Sequence, residues 1–197
     1  DVYKRQGQGG FNDMDMLIVG MNGKGNVALT GCTTDEYRLH FSLWALLNSP
    51  LMIGCDIRDM TDETRSILLN KDVIAINQDE LGSQPFFANN FKYEINNNRT
   101  ENDPFYKQYP IDTPIIAKYL DGGDIAIGFF NFMDSDASEW QFTLTPDNLG
   151  IPLSSGKTIE LHDLWTGETV KTFNGTIRLD KTPAHSCRLF RAKVVDA

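Results

Sequence analysis

The chain of 197 residues has a formal net charge of −9, from 18 Lys and Arg against 27 Asp and Glu, and 41% of it is hydrophobic. Its acids are scattered and it has no basic stripe, so the electrostatic footprint of a nucleic-acid or anionic-membrane binder is missing and a neutral or cationic ligand is expected. No apolar run approaches the ~20 residues of a membrane span, and the length suits one or two globular domains with a real core.

The first residues, Asp1-Val2-Tyr3-Lys4-Arg5-Gln6, resemble a translated sequencing-adapter string and are set aside, so the native chain is expected to begin near Gly7 to Gly9. Next comes Gly9-Gly10-Phe11-Asn12-Asp13-Met14-Asp15-Met16-Leu17-Ile18-Val19-Gly20, an acidic turn next to a buried strand. If the segment is extended, Asp13 and Asp15 project from one face. Such a pair suits glycoside chemistry, which needs two carboxyl groups about 5 to 10 Å apart, but it is also a common solvated turn. The Gly- and Asn-rich stretch from Met21 to Gly31 reads as loop, and its Gly23-Lys24-Gly25 lacks the Gly-Lys-Ser/Thr end of a phosphate loop.

Thr33 with Glu36 three residues on has the form of a capping box and starts a helix. Tyr37, Phe41, Trp44 and Asn48 make one stripe, widened by Leu43, Leu46 and Leu47, and Ser49-Pro50 stops the helix. His40 reads as packed or capping, because no second ligand sits at i+4. Leu51-Met52-Ile53-Gly54-Cys55-Asp56 reads as a strand buried on both faces of a parallel sheet. Residues at carboxyl ends of such strands face the ligand, which makes Asp56 and Arg58 further candidates, a local salt bridge being the competing reading. Thr61 caps a short helix through Leu69, and Val73 to Asp79 closes the block. The α/β pattern amounts to about a quarter of a (β/α)8 barrel of roughly 250 residues.

Residues 83–111 read as a connector carrying at most one outlying strand. They include the sequon Asn98-Arg99-Thr100, and a second, Asn174-Gly175-Thr176, lies further on. Beyond Asp112 the period becomes two. Strands are expected at Ile116 to Leu120 and Ile125 to Phe130, around an Asp121-Gly122-Gly123-Asp124 hairpin. More follow at Glu139 to Leu144, Thr158 to Leu164, Thr169 to Phe173, Gly175 to Leu179 and Ser186 to Ala192. Trp140, Phe142, Phe129 and Phe132 are read as core rather than as a sugar-binding row, and His162 and His185 as structural. Cys32, Cys55 and Cys187 have no metal-ligand spacing and read as free, mostly buried thiols, a Cys32–Cys55 bridge being the alternative.

Together, residues 9–17, Glu36-Tyr37-Arg38-Leu39-His40-Phe41-Ser42-Leu43-Trp44-Ala45, Ser49-Pro50-Leu51-Met52-Ile53-Gly54-Cys55-Asp56-Ile57-Arg58 and Val73-Ile74-Ala75-Ile76-Asn77-Gln78-Asp79 resemble the α-galactosidase (melibiase) family of retaining glycoside hydrolases, glycoside hydrolase family 27, in a bacterial-type member. The resemblance is close from Gly9 to Gly82. It is weaker beyond, at Asp163-Leu164-Trp165-Thr166-Gly167 and Cys187-Arg188-Leu189-Phe190-Arg191. It implies a (β/α)8 TIM barrel followed by an antiparallel β-sandwich, with residues 7–82 as the last two β/α units and residues 112–197 as the sandwich. It further implies that the nucleophilic and acid/base Asp lie upstream, so that no catalytic carboxylate is in this chain and the fragment alone is inactive. Asp15 and Met16 match positions that line the galactose pocket, with Asp13, Asp56 and Arg58 in supporting roles. Met14 replaces the family's usual Pro between the two acids, which loosens the turn.

The reaction implied is a double displacement on α-galactoside oligosaccharides through a covalent galactosyl intermediate. No metal or organic cofactor is needed, and the partner is the upstream part of the same barrel. Compartment, cytoplasmic or secreted, and homo-oligomerisation are left open. Three alternatives stand: a relative acting on β-L-arabinopyranosides, α-N-acetylgalactosaminides or isomalto-dextrans; a carbohydrate-binding or structural β-module; and a complete small enzyme using Asp13 and Asp15.

Overall fold

The computed structural model describes residues 7–24, 30–88, 112–138, 141–171 and 177–196. The adapter-like start, both sequons, Trp140 and most of the connector lie outside them.

The first helix, α1 (Thr34–Leu46), begins as its capping box requires. Thr33 Oγ1 accepts from the Glu36 amide, and the Glu36 carboxylate accepts from the Thr33 amide at 2.7 Å. Asp35 and Glu36 in the first turn complement the helix dipole. Tyr37, Phe41 and Asn48 of the expected stripe are buried, and Trp44 is half-buried. Two short helices follow, α2 (Asp62–Leu68), capped by Thr61, and α3 (Lys71–Asn77), capped by the Asn70 carboxamide. Leu51 to Asp56 departs from the fully buried strand expected of it. It holds one parallel bridge, Ile53 to Leu17, and leaves Met52 65% and Ile53 39% exposed. Among the described residues its strand partner is Leu17.

The remaining strands are β1 (Phe86–Phe87), β2 (Ile115–Tyr119), β3 (Ile125–Asn131), β4 (Thr143–Leu144), β5 (Lys157–Asp163), β6 (Thr169–Lys171), β7 (Ile177–Arg178) and β8 (Ser186–Asp196). They form an antiparallel six-stranded sheet in the order β1-β2-β3-β8-β5-β6 and a two-stranded sheet of β4 and β7. The hairpin between β2 and β3 turns where expected, through Gly122 and Gly123 at φ 80° and 88°, a left-handed region that favours glycine. The outlying strand of the connector is β1, which extends the large sheet. Of the strand expected at Glu139 to Leu144, the described residues alternate as expected, with Gln141 and Thr143 exposed and Phe142 and Leu144 buried, and Thr143–Leu144 form β4.

Along β2, β3 and the first half of β8 the large sheet is packed on both faces. Ile115, Ala117, Ile127, Phe129, Phe190 and Ala192 face Phe142, Leu144 and Ile177 across the sandwich. Ile116, Ala126, Phe130 and Leu189 face the opposite way, onto Phe41, Ala45, Leu46, Ile67, Val73 and Ile76 of the three helices. All seven residues of β3 are buried, so a two-residue period coexists with a nearly unbroken apolar run. Gly128 lets α1 sit close, since a Cβ there would lie 2.5 Å from the Phe130 ring and 2.6 Å from Leu46 Cδ1. Phe132, expected in the core, is instead 43% exposed beyond the end of β3 and stacks on Phe130 at 6.1 Å.

One charged group is enclosed in this seam. Lys118 of β2 is fully buried, and its ammonium donates to Asn48 Oδ1 at 2.5 Å and to the Ile76 carbonyl. It therefore ties the exits of α1 and α3 to the sheet. Burial pushes its pKa down to about 8, with Asp79 opposing, so the charge persists at neutral pH. Lys118→Met leaves two buried acceptors unpaired and is expected to lower unfolding free energy by about 2–3 kcal/mol. Urea titration checks this, and an unchanged midpoint would refute the tie.

Candidate functional site

The acidic turn is built by its own side chains. Asp13 Oδ1 accepts the Asp15 amide at 2.9 Å, and Asp15 Oδ1 accepts the following Met16 amide at 2.6 Å. Asp15 sits at φ 72°, in the left-handed region that Asp enters more readily than most residues. That conformation ends the strand-like reading of the segment. The strict two-residue alternation is broken at Asp15, and the two carboxylates are successive members of an Asx turn instead of a same-face pair.

The turn is also held from outside. Ser49 Oγ accepts the Met14 amide at 3.0 Å, the Trp44 indole donates to the Asp15 carbonyl at 2.8 Å, and His40 Nε2 accepts the Ile18 amide at 3.2 Å. His40 and Trp44 lie one turn apart on α1 with their rings 3.9 Å apart. Beyond the turn, the Leu17 amide donates to the Met52 carbonyl and the Gly54 amide to the Leu17 carbonyl, which makes the parallel bridge. Gly54 permits this approach. A Cβ there would lie 2.6 Å from the Leu17 carbonyl oxygen and 3.1 Å from the sulfurs of Met16 and Met21. Asp13, Asp15 and Met16 are exposed, Met16 at 37%.

Asp56 and Arg58 lie elsewhere. Arg58 donates from Nε at 2.9 Å and from NH2 at 2.8 Å to the Asp56 carboxylate, a bidentate pair in solvent that holds the Asp56 carboxyl below the usual carboxylate range. In the parallel register they follow Ile53, whereas Asp13 and Asp15 precede Leu17, so the structure puts the two sets on opposite sides of the bridge. Lys24, paired with Asp59 at 3.4 Å, belongs to the Asp56 side. Cys32, Cys55 and Cys187 are free and only partly buried, and burial raises all three thiols, Cys187 to about 12. His162 bonds Thr169 at 3.1 Å, and His185 lies between Asp134 at 2.8 Å and Glu36 at 3.4 Å. A shallow cleft of about 430 Å³ on the sandwich is lined by Asp124, Glu160, His162, Thr169, Arg191 and Lys193, and it offers no aromatic platform for a sugar ring. Among the described residues no cluster of His, Cys, Asp and Glu could hold a metal ion.

The grip of Ser49, His40 and Trp44 on the turn was not legible in the sequence, because their partners are main-chain atoms. The i, i+4 spacing of His40 and Trp44 was the available signal, and an apolar stripe explained it equally well.

A parallel-bridged α/β segment with an acidic turn at its edge thus runs into an antiparallel sandwich. Residues 1–79 match the family model described as alpha galactosidase A, and residues 111–192 match that of the alpha galactosidase C-terminal beta sandwich domain. The α-galactosidase of Cyamopsis tetragonoloba is 36% identical over 184 residues, covering 93% of this chain and 37% of that protein. The α-galactosidase of Oryza sativa subsp. japonica is 55% identical over 78 residues, covering 40% of this chain and 17% of that protein. A crystal structure of a putative α-galactosidase/melibiase from Bacteroides fragilis superposes with a TM-score of 0.74 at 30% identity, covering 98% of this chain and 36% of the other. The chain belongs to the α-galactosidase (melibiase) family. It spans less than half the length of the curated relatives it matches.

His40 supplies a pH signature of the turn. Burial lowers its pKa to about 4, and the Ile18 amide needs an unprotonated Nε2. The unfolded chain takes up this proton first, near pH 6.5, so stability is full above that value and falls as pH drops toward 4. The thermal midpoint is expected to decline across this window, and less steeply in His40→Gln. Parallel slopes in the two proteins would exclude His40 as the cause.

Proposed function

We propose that this chain is the C-terminal part of an α-galactosidase that removes terminal α-linked galactose with retention. Residues 7–82 close the barrel, residues 83–111 connect, and residues 112–197 form the sandwich. The observation that carries this reading is the succession of two α-galactosidase family segments on one chain, with the Asp15–Met16 turn presented to solvent at the barrel edge.

Asp15 and Met16 line the galactose pocket in this proposal. The Asp15 carboxylate keeps one oxygen for the Met16 amide and offers the other to a sugar hydroxyl, while the Met16 thioether packs beside the ring. Asp13 supports Asp15 through the turn. Asp56 and Arg58 brace the loop after the Ile53 bridge and stay off the sugar. The nucleophile and the acid/base belong to an upstream part of the barrel. There one carboxylate attacks the anomeric carbon while the other protonates the leaving oxygen, and water then hydrolyses the galactosyl ester with the second group acting as base.

Hydrolysis of a chromogenic α-galactoside tests the reading. This chain alone is expected to be silent and a version extended upstream to be active. In the extended enzyme, Asp15→Asn should reduce kcat/KM by about 100-fold or more, as expected when a sugar-binding carboxylate is neutralised. Turnover by the short chain, abolished in its Asp15→Asn variant, would place the catalytic residues here and sink the proposal.

A further inference from the structure

We infer that Trp44 and His40 are positioning residues for sugar recognition: from one face of α1 they hold the main chain of the Asp15–Ile18 segment in the orientation that presents Asp15 and Met16. The inference rests on the assignment of Asp15 and Met16 to the sugar pocket made above.

The turn's internal bonds leave a choice open that α1 settles. Asp13 Oδ1 fixes the Asp15 amide, and Asp15 Oδ1 fixes the Met16 amide, but both bonds are made by solvent-exposed carboxylates. Neither defines the direction of the Asp15 carbonyl against the rest of the fold. That carbonyl receives the Trp44 indole N–H at 2.8 Å. Indole is a donor only, so the contact accepts one orientation of the peptide between Asp15 and Met16 and rejects its flip, which would set an amide N–H against the ring N–H. A flip, which turns ψ of Asp15 and φ of Met16, would also withdraw the Met16 amide from Asp15 Oδ1.

His40 completes the grip. Its ring lies tilted by 39° against Trp44 with centroids 3.9 Å apart, restricting the indole, and its Nε2 accepts from the Ile18 amide at 3.2 Å. Two side chains one helical turn apart thus seize a carbonyl and an amide three residues apart, on either side of Met16. The helix is itself anchored. Phe41, Ala45 and Leu46 are buried against the sheet, so α1 transmits the position of a rigid element to an exposed turn.

The test uses the upstream-extended enzyme, with Asp15→Asn, Trp44→Phe, His40→Gln and His40→Leu measured side by side for kcat, KM, inhibition by free galactose and thermal midpoint. Trp44→Phe keeps the aromatic face and deletes the donor. It is expected to raise KM and the galactose inhibition constant together by about tenfold, with a midpoint shift of only a few degrees. His40→Leu should do the same, and His40→Gln, which retains an acceptor, should recover most of the loss. Trp44→Phe or His40→Leu lowering the midpoint and kcat while KM and galactose inhibition stay at wild-type values overturns the inference, because a packing role alone would act that way. Wild-type behaviour of Trp44→Phe alongside a crippled Asp15→Asn also overturns it and leaves the sugar-pocket assignment standing. Wild-type behaviour of Asp15→Asn itself removes that assignment and the inference with it.

Discussion

The seating of α1 on the outer face of the large sheet is the contact on which the rest depends. Gly128 lets Leu46 come within reach of the Phe130 ring, and around that point the three helices and the strands β2, β3 and β8 share one apolar cluster. At roughly 25 cal/mol per Å² of apolar surface removed from water, this seam is a main source of stability for both halves. It explains why β3 is buried along its whole length and why Lys118 can be fully enclosed. An ammonium in such a place requires partners on the other element, and Asn48 and the Ile76 carbonyl provide them. Separation of the sandwich from the helices would uncover Phe130, Leu189 and Ile116, which runs against treating residues 112–197 as an indifferent appendage.

The same helix faces two ways. One side is packed on the sheet through Phe41, Ala45 and Leu46, and another presents Trp44 and His40 to the acidic turn. The sandwich therefore bears on the acidic turn by fixing the helix that holds it. Trp165 and Cys187 extend this link, since both bond to Ser42 Oγ on α1, the indole at 3.0 Å and the thiol at 3.4 Å. The partly buried thiol is a weak donor in a packed seam, and its raised pKa disfavours the reactive thiolate.

Much of the fold was legible residue by residue. The Thr33–Glu36 capping box, the Ser49-Pro50 stop, the Asp121–Asp124 hairpin and the alternation of the later strands are local signals, and local physics reproduces them. The errors fall where a segment's environment is not written in its own residues. Leu51 to Asp56 has the composition of an enclosed strand, but among the described residues it pairs only at Leu17 and leaves Met52 and Ile53 exposed. Phe132 is apolar but lies just past the last residue β3 pairs. Asp13 and Asp15 have strand-like spacing, yet their short carboxylates bond adjacent amides and turn the chain instead.

The sequence by itself determined the class of architecture and the family resemblance, because these reside in periodicity, caps and motif order. Only the tertiary structure decided the left-handed conformation of Asp15, the separation of the Asp56–Arg58 pair from it, the enclosure of Lys118 and the hold of Trp44 and His40 on the turn. Each of those depends on main-chain atoms or on surfaces brought together from distant segments, and neither leaves a pattern along the chain.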